Sequence, residues 1–394
     1  MSELPDVDRA KRTIGLILYL AGMAVGGLLL LGLFLLAPIL EYDFGTLGSS
    51  GAKPVYRTAG VYADMCLGAL LAFPAAILYL TVPRLLDRYD PEPWYSLLAC
   101  VLWGGIAACG FSGSINTLVA ACSGQLGGAA LGHAVGAVVS APLAEEFFKG
   151  IAVWGVFFFL RREFDGIVDG VIYATFTAIG FATVENAIYY ARAAAVPGEL
   201  TSVFLLRGVL GPWGHPLYTS MIGIGFGLAR EIGQGGTRYL APVTGYLAAV
   251  FLHSLWNGTA LVASSLGSGG ALLFVSTLPL WLFFILFFLG IIVFLVRRRG
   301  QVIRQYLEDE VAIGTISRAE LELTASAFGL FRVRMQHGQL GVDFVRAAAR
   351  LALSKWHATR AARNATQTQS IEFVVPLRRR IAELKAEVGR RPAR

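Results

Sequence analysis

Long apolar stretches separated by short charged connections fill the first three quarters of the chain. About 20 apolar residues cross a ~30 Å hydrocarbon core as a helix. Eight segments of that kind can be read, at roughly 14–40, 60–82, 95–122, 130–160, 167–191, 209–229, 239–264 and 271–296. The pattern predicts an all-α, polytopic integral membrane bundle of about eight transmembrane helices. The first segment, opening at Ile14, is too long for a signal-peptide core and lacks a small-residue cleavage site, so it is expected to be retained. After residue 296 the pattern changes. Gln305 to Val311, Arg318 to Ala327 and Leu377 to Val388 place apolar residues at intervals of three and four among good helix formers, which predicts a short helical cytoplasmic region. Thr366 to Ser370 reads as a polar linker. Two domains are expected: a transmembrane body over 1–296 and a basic, partly helical cytoplasmic tail over 297–394.

Composition excludes a soluble enzyme. Of 394 residues 56% are hydrophobic and only 15% charged, and the mean hydropathy is +0.62; no soluble core of this size hides so much apolar surface. The net charge of +7 conceals a division, because residues 1–296 hold 14 Lys/Arg against 17 Asp/Glu while 297–394 hold 19 against 9. A basic tail after a membrane body marks the cytoplasmic side, and with no aromatic-interleaved groove pattern it does not point to nucleic acid. With both termini inside, the inner connections carry 12 Lys/Arg and the outer ones 4, namely Lys53, Arg57, Arg192 and Arg207. That asymmetry predicts cytoplasmic termini and an even number of spans. Cys66, Cys100, Cys109 and Cys122 have no paired spacing and say little about metal or redox compartment.

A few charges fall where lipid should reject them, and intramembrane ionisable groups are by default functional. The fourth segment reads Ala141-Pro142-Leu143-Ala144-Glu145-Glu146-Phe147-Phe148-Lys149. Lys149 is spaced to reach either glutamate on a helix, and the two glutamates point about 100° apart, so one can face a cavity while the other is tied into the bundle. The fifth segment carries Glu185 and Asn186, the sixth opens near His215, and the seventh carries His253 and Asn257 on one helical face. At 1.5 Å per residue, Glu145 lies ~24 Å from the inner boundary at Arg161, and Glu185 ~27–30 Å from the inner start of its span. His253 lies ~21 Å in, and His215 ~9 Å from the outer start of its span. All four fall in the outer third of a ~30 Å slab.

Two carboxylates and two histidines at one depth suit the activation of water for amide hydrolysis. One glutamate takes the water's proton and passes it to the leaving amine, and a histidine with Asn257 stabilises the oxyanion. The residue types equally allow zinc on Glu146, His215 and His253, although no HExxH pattern is present. A proton-coupled transporter or a membrane scaffold using buried carboxylates is the alternative, against which there is neither an inverted repeat nor a matched pair of broken helices. Pro142 either opens the helix before Glu145 to water or kinks it for packing. Gly104, Gly105, Gly223, Gly225 and Gly227 are expected to be close helix contacts, and Asp165 and Asp169 loop anchors.

The EExxK of Glu145, Glu146 and Lys149, the FxxxEN of Phe181, Glu185 and Asn186, and the HxxWN of His253 to Asn257 resemble the motifs of PrsW-type intramembrane proteases, relatives of the type II CAAX prenyl endopeptidases. The run from Asp165 to Tyr173 and the following Gly180-Phe181-Ala182 share that appearance. The resemblance spans roughly 65–296, is strongest in 140–260 and leaves out the tail. It implies a protease-like body in which Glu145, Glu146 and His253 are catalytic. It also implies a membrane protein substrate, such as a single-span anti-sigma-factor-like protein, cut on the extracytoplasmic side. The CAAX branch has EExxxR and FxxxH where this chain has Lys149 and Glu185, which makes a prenylated substrate a poorer match. Together these expectations describe a multi-pass cell-membrane endopeptidase whose catalytic set is Glu145, Glu146, Lys149, Glu185, His215, His253 and Asn257.

Overall fold

A computed structural model describes residues 6–45, 58–87, 89–161, 163–232, 235–266, 268–326, 328–363 and 370–389. All but the last residue of the expected Thr366–Ser370 linker, and the connection charges Lys53, Arg57, Arg88 and Arg162, lie outside them. The described residues form no strand. In order they make α1 (Asp6–Gly45), α2 (Thr58–Leu86), α3 (Trp94–Leu102), α4 (Cys109–Gly127), α5 (Ala129–Val135), α6 (Ala141–Phe159) and α7 (Ile167–Ala194). Then come α8 (Glu199–Phe204), α9 (Gly214–Ile232), α10 (Thr237–Ser265), α11 (Ser268–Ala312), α12 (Arg318–Ala325), α13 (Gly329–Arg363) and α14 (Val374–Gly389). Three π-helical stretches, Trp103–Ala108, Gly136–Ser140 and Leu205–Leu210, precede α4, α6 and α9 respectively.

By length and composition, α1, α2, the α3–α4 pair, α7, α10 and α11 can cross a membrane, so the protein is a polytopic helical bundle. The other two expected segments are also helical. Around 130–160 the run is divided by a π-helical stretch and burdened by Glu145, Glu146 and Lys149, and near 209–229 the α-helix starts only at Gly214. Pro142 has no N–H to donate to the carbonyl of Val138 four residues back, which accounts for the widened turn just before α6.

Contacts divide the chain into two compact units. The first holds the described residues of Met1–Pro83, Pro93–Ala229 and Tyr239–Ile285, with α7 at its centre. Every α7 residue from Asp169 to Thr183 is buried, as expected of a helix apolar all round. Asp169 Oδ2 accepts from the backbone N–H of Asp165 and Gly166 at 2.7 and 3.1 Å, which anchors the start of α7. Its neighbours approach at backbone distance. A Cβ on Gly170 would stand 2.1 Å from the carbonyl oxygen of Gly223 on α9, and one on Gly223 equally close to that of Gly170. Gly104 meets the Thr177 carbonyl and Gly225 that of Ala241 in the same manner. These glycines are therefore the close helix contacts that the small-residue pattern predicts, and they fix how α7, α9 and α10 present their polar side chains.

The second unit gathers Arg84–Glu92, Arg230–Arg238 and Leu286–Arg394. Its core includes Tyr89, Ile303, Leu307, Leu321, Val345, Leu351, Ile381 and Leu384. The three expected tail helices correspond to the end of α11, α12 and α14, while the long α13, broken at Gly338 (φ 62°, ψ −142°), was not foreseen. Glu310, fully buried, accepts from Arg378 at 2.7 to 3.1 Å and from Lys355 at 2.9 Å. Burial alone would push its carboxyl up, but the hydrogen bonds from Arg378 and Lys355 bring it down to about 2.

Candidate active site

Four helices of the first unit bring the unexpected charges together. On α6, Glu146 is fully buried and both of its oxygens are engaged. Oε1 accepts from Lys149 Nζ at 2.6 Å and pairs with His253 Nδ1 at 3.0 Å, while Oε2 accepts from the Thr219 hydroxyl at 2.9 Å. Glu145, one residue back and rotated toward the other side, is 6% exposed, and its Oε2 has no hydrogen-bond partner. The nearest charged or ring nitrogens stand off from it, Lys149 Nζ at 3.8 Å and His253 Nε2 at 3.9 Å. Adjacent positions on one helix thus give one carboxylate tied into the bundle and one with an unused oxygen, as the 100° offset requires.

The two histidines are held by different acids. His215, the second residue of α9, pairs through Nε2 with Glu185 Oε2 of α7 at 2.7 Å, and its Nδ1 lies 3.1 Å from Lys149 Nζ. An ammonium only donates, so Nδ1 must accept and the ring proton sits on Nε2, where Glu185 receives it. His253 of α10 places Nδ1 on Glu146, which puts its proton there and leaves the Nε2 lone pair free. The rings of His215 and His253 meet edge to face, 5.2 Å between centroids at 89°. In the FxxxEN spacing, Phe181 and Glu185 lie one turn apart on α7. Phe181 supplies a ring face 4.3 Å from Lys149 Nζ, and Glu185 supplies the carboxylate for His215.

Six of the seven expected residues therefore converge. The seventh, Asn257, directs its amide nitrogen to the carbonyl of Ala137 at 2.9 Å instead. Two contributors escaped the sequence reading. Thr219 lies four residues after His215, on the same face of α9, and that spacing would have found it. Arg207, counted only as an outer connection charge, projects from the π-helical turn Leu205–Leu210; its guanidinium reaches Glu185 Oε2 at 2.5 Å and Asn186 Oδ1 at 2.9 Å, and lies 3.8 Å over the Tyr189 ring.

The donor set fits a metal ion, with a change in membership. Glu145, His215 and His253 each offer one ligand atom, all within 4.8 Å of one another. The expected set used Glu146, whereas the group that could hold an ion contains Glu145; the oxygens of Glu146 serve Lys149, His253 and Thr219, and coordination by His215 through Nδ1 would require Lys149 to give up that lone pair. Each histidine is moreover backed by a carboxylate, Glu185 behind His215 and Glu146 behind His253, the pattern that orients metal-binding imidazoles. Charge balance points the same way. Three carboxylates face the fixed cations Lys149 and Arg207, leaving one buried negative charge that calls for a proton or a further cation.

Residues 92–296 match the family model described as PrsW family intramembrane metalloprotease. The chain is 30% identical over 171 residues to Protease PrsW of Geobacillus kaustophilus, covering 43% of this chain and 69% of that protein. It is 31% identical over 118 residues to Protease PrsW of Oceanobacillus iheyensis, covering 29% and 49% respectively. No solved structure matches. The matched span contains the whole cluster of buried acids and histidines and more than half of the chain, and this multi-pass membrane protein belongs to the PrsW family of intramembrane metalloproteases.

Proposed function

We propose that the protein hydrolyses a peptide bond of a membrane protein, near the extracytoplasmic boundary, with Glu145 as the group that moves the water's proton. The observation that carries this is the unpartnered Glu145 Oε2, buried beside Lys149 and two oriented histidines. A water at that oxygen loses a proton to Glu145 as it attacks the carbonyl carbon, and Glu145 returns the proton to the departing amine. The charge developing on the carbonyl oxygen lies close to the Lys149 ammonium in a dry setting, where such stabilisation is strongest. Glu146 does not share the proton work on this reading, because its oxygens are occupied. It fixes the His253 tautomer and holds Lys149 in place.

Zinc held by Glu145, His215 and His253 would polarise the carbonyl and lower the pKa of the attacking water, and Glu145 would then serve as a ligand in place of its proton-transfer role. In that form Glu185 and Glu146 act behind the ligands by keeping the ring protons away from the metal-facing nitrogens. The loop-charge asymmetry of 12 to 4 supports cytoplasmic termini and a cluster toward the outer side. That depth suits a single-span substrate of the anti-sigma-factor kind. The test is cleavage of a set of tagged single-span membrane proteins by the enzyme in proteoliposomes, with Glu145→Gln, His215→Ala and His253→Ala made singly. Each variant is expected to lose ~10²-fold or more in rate, and full activity in all three would refute the reading. Metal analysis of the active enzyme before and after chelation decides the zinc question.

A further inference from the structure

Beside this cluster two buried hydrogen-bond donors have no acceptor. Tyr218 of α9 is 2% exposed, and its ring stacks on His253 with 4.9 Å between centroids at 17° and stands edge-on to His215 at 5.9 Å. Its hydroxyl has no hydrogen-bond partner. Trp281 of α11, 9% exposed, lies 5.9 Å from the Tyr218 ring and stacks at 4.2 Å on Trp256; its Nε1–H is also unpartnered. Buried polar groups without partners are rare, and each calls for an explanation. Packing is not one, because phenylalanine would stack on His253 equally well without the hydroxyl. The hydroxyl opens toward the start of α9: a Cβ added to Gly214, the residue before His215, would sit 3.4 Å from both the Tyr218 oxygen and the Trp281 ring. The side-chain-free Gly214 leaves that space open beside the histidine.

A phenol and an indole N–H side by side are donors waiting for acceptors, and an unfolded stretch of substrate main chain supplies carbonyl oxygens at regular intervals. We propose that Tyr218 is a catalytic residue, its hydroxyl donating to the scissile carbonyl oxygen, and that Trp281 Nε1–H holds a neighbouring carbonyl of the same substrate strand. As water adds to the carbonyl carbon, the C=O π pair moves onto oxygen, the water's proton goes to Glu145, and the Tyr218 hydrogen bond shortens onto the new oxyanion. Collapse then returns the pair, breaks the C–N bond and delivers the proton to nitrogen. This inference rests on the proteolytic reading above.

Tyr218→Phe keeps the ring and removes only the hydroxyl. The experiment measures kcat and KM for the best-cut tagged single-span protein in proteoliposomes, together with thermal unfolding, for wild type, Tyr218→Phe, Trp281→Phe and Glu145→Gln. The expected result is a ~10²–10³-fold lower kcat for Tyr218→Phe with little change in KM, and an unfolding midpoint that is unchanged or higher because no bond is lost. Trp281→Phe is expected to raise KM chiefly. If Tyr218→Phe keeps kcat within about twofold while Glu145→Gln is inactive, the inference fails and the protease reading stands. A fall in unfolding midpoint that accounts for the lost rate also overturns it. If Glu145→Gln is active, or the wild type cuts none of the tagged proteins, both readings fall together.

Discussion

Glu185 Oε2 lies 2.7 Å from Nε2 of His215, and the same oxygen accepts from Arg207 at 2.5 Å. One carboxylate oxygen thus joins α7, α9 and the π-helical turn before α9, and the tautomer of His215 depends on it. Glu185→Gln keeps the shape but can present an amide N–H to the ring, which would turn the imidazole or shift its proton. Metal affinity of the purified protein, measured by competition with a chelating dye, is expected to fall by ~10–100-fold, with the helical circular dichroism unchanged. Undiminished affinity would show that His215 does not bind metal through this arrangement.

Thr219 supplies the third bond to Glu146. Thr219→Val preserves volume and removes the hydroxyl, leaving Glu146 Oε2 buried without a donor. A loss of about 1–3 kcal/mol is expected, read as a lower unfolding temperature in detergent. Thr219→Ser should recover most of it, because the hydroxyl returns and only a methyl is missing.

The Gly170–Gly223 contact permits no side chain. A Cβ on either residue would stand 2.1 Å from the opposing carbonyl oxygen, so Gly223→Ala must force α7 and α9 apart. Overpacking of this kind costs about 1–3 kcal/mol and often more against backbone. Because Glu185 and His215 sit on the two separated helices, activity is expected to fall further than stability, measured as residual cleavage at a temperature where the variant remains folded.

The second unit has its own acid sensitivity. Glu310 is held at about 2 in the folded state, below an unfolded glutamate near ~4.3. Its pairing with Arg378 and Lys355 therefore contributes fully above the unfolded value and is lost as pH falls toward the folded one. Hydrogen-exchange protection of α13 and α14 should decline from about pH 5 to pH 3. Glu310→Gln should lower protection at neutral pH and flatten that dependence.

Glu145, Glu146, Lys149, Glu185, His215 and His253 were legible in the sequence because charge in an apolar run is conspicuous, and counting residues along helices placed them at one depth. Asn257 was legible as a polar residue, but its actual partner, the Ala137 carbonyl, lies 120 positions away and follows from packing alone. Arg207 failed for the opposite reason, since an arginine at the end of an apolar segment is what topology leads one to expect and its partner is 22 residues distant. Tyr218 and Thr219 are ordinary residues for a buried helix, distinguished only by what they touch. Helices were legible wherever hydrophobicity was continuous. The π-helical stretches were not, and α13, interrupted by Gly338 and Gly341 and moderate in hydropathy, carried too weak a period to be picked out.

The pairing of Lys149 with Glu146 is internal to α6, three residues apart. One of the two adjacent glutamates is therefore matched by its own helix. Glu185 of α7 draws Arg207 from outside its own helix, 22 residues further along the chain. Part of the cluster's charge balance is thus local to one helix, and part is completed only when the segment carrying Arg207 packs against α7.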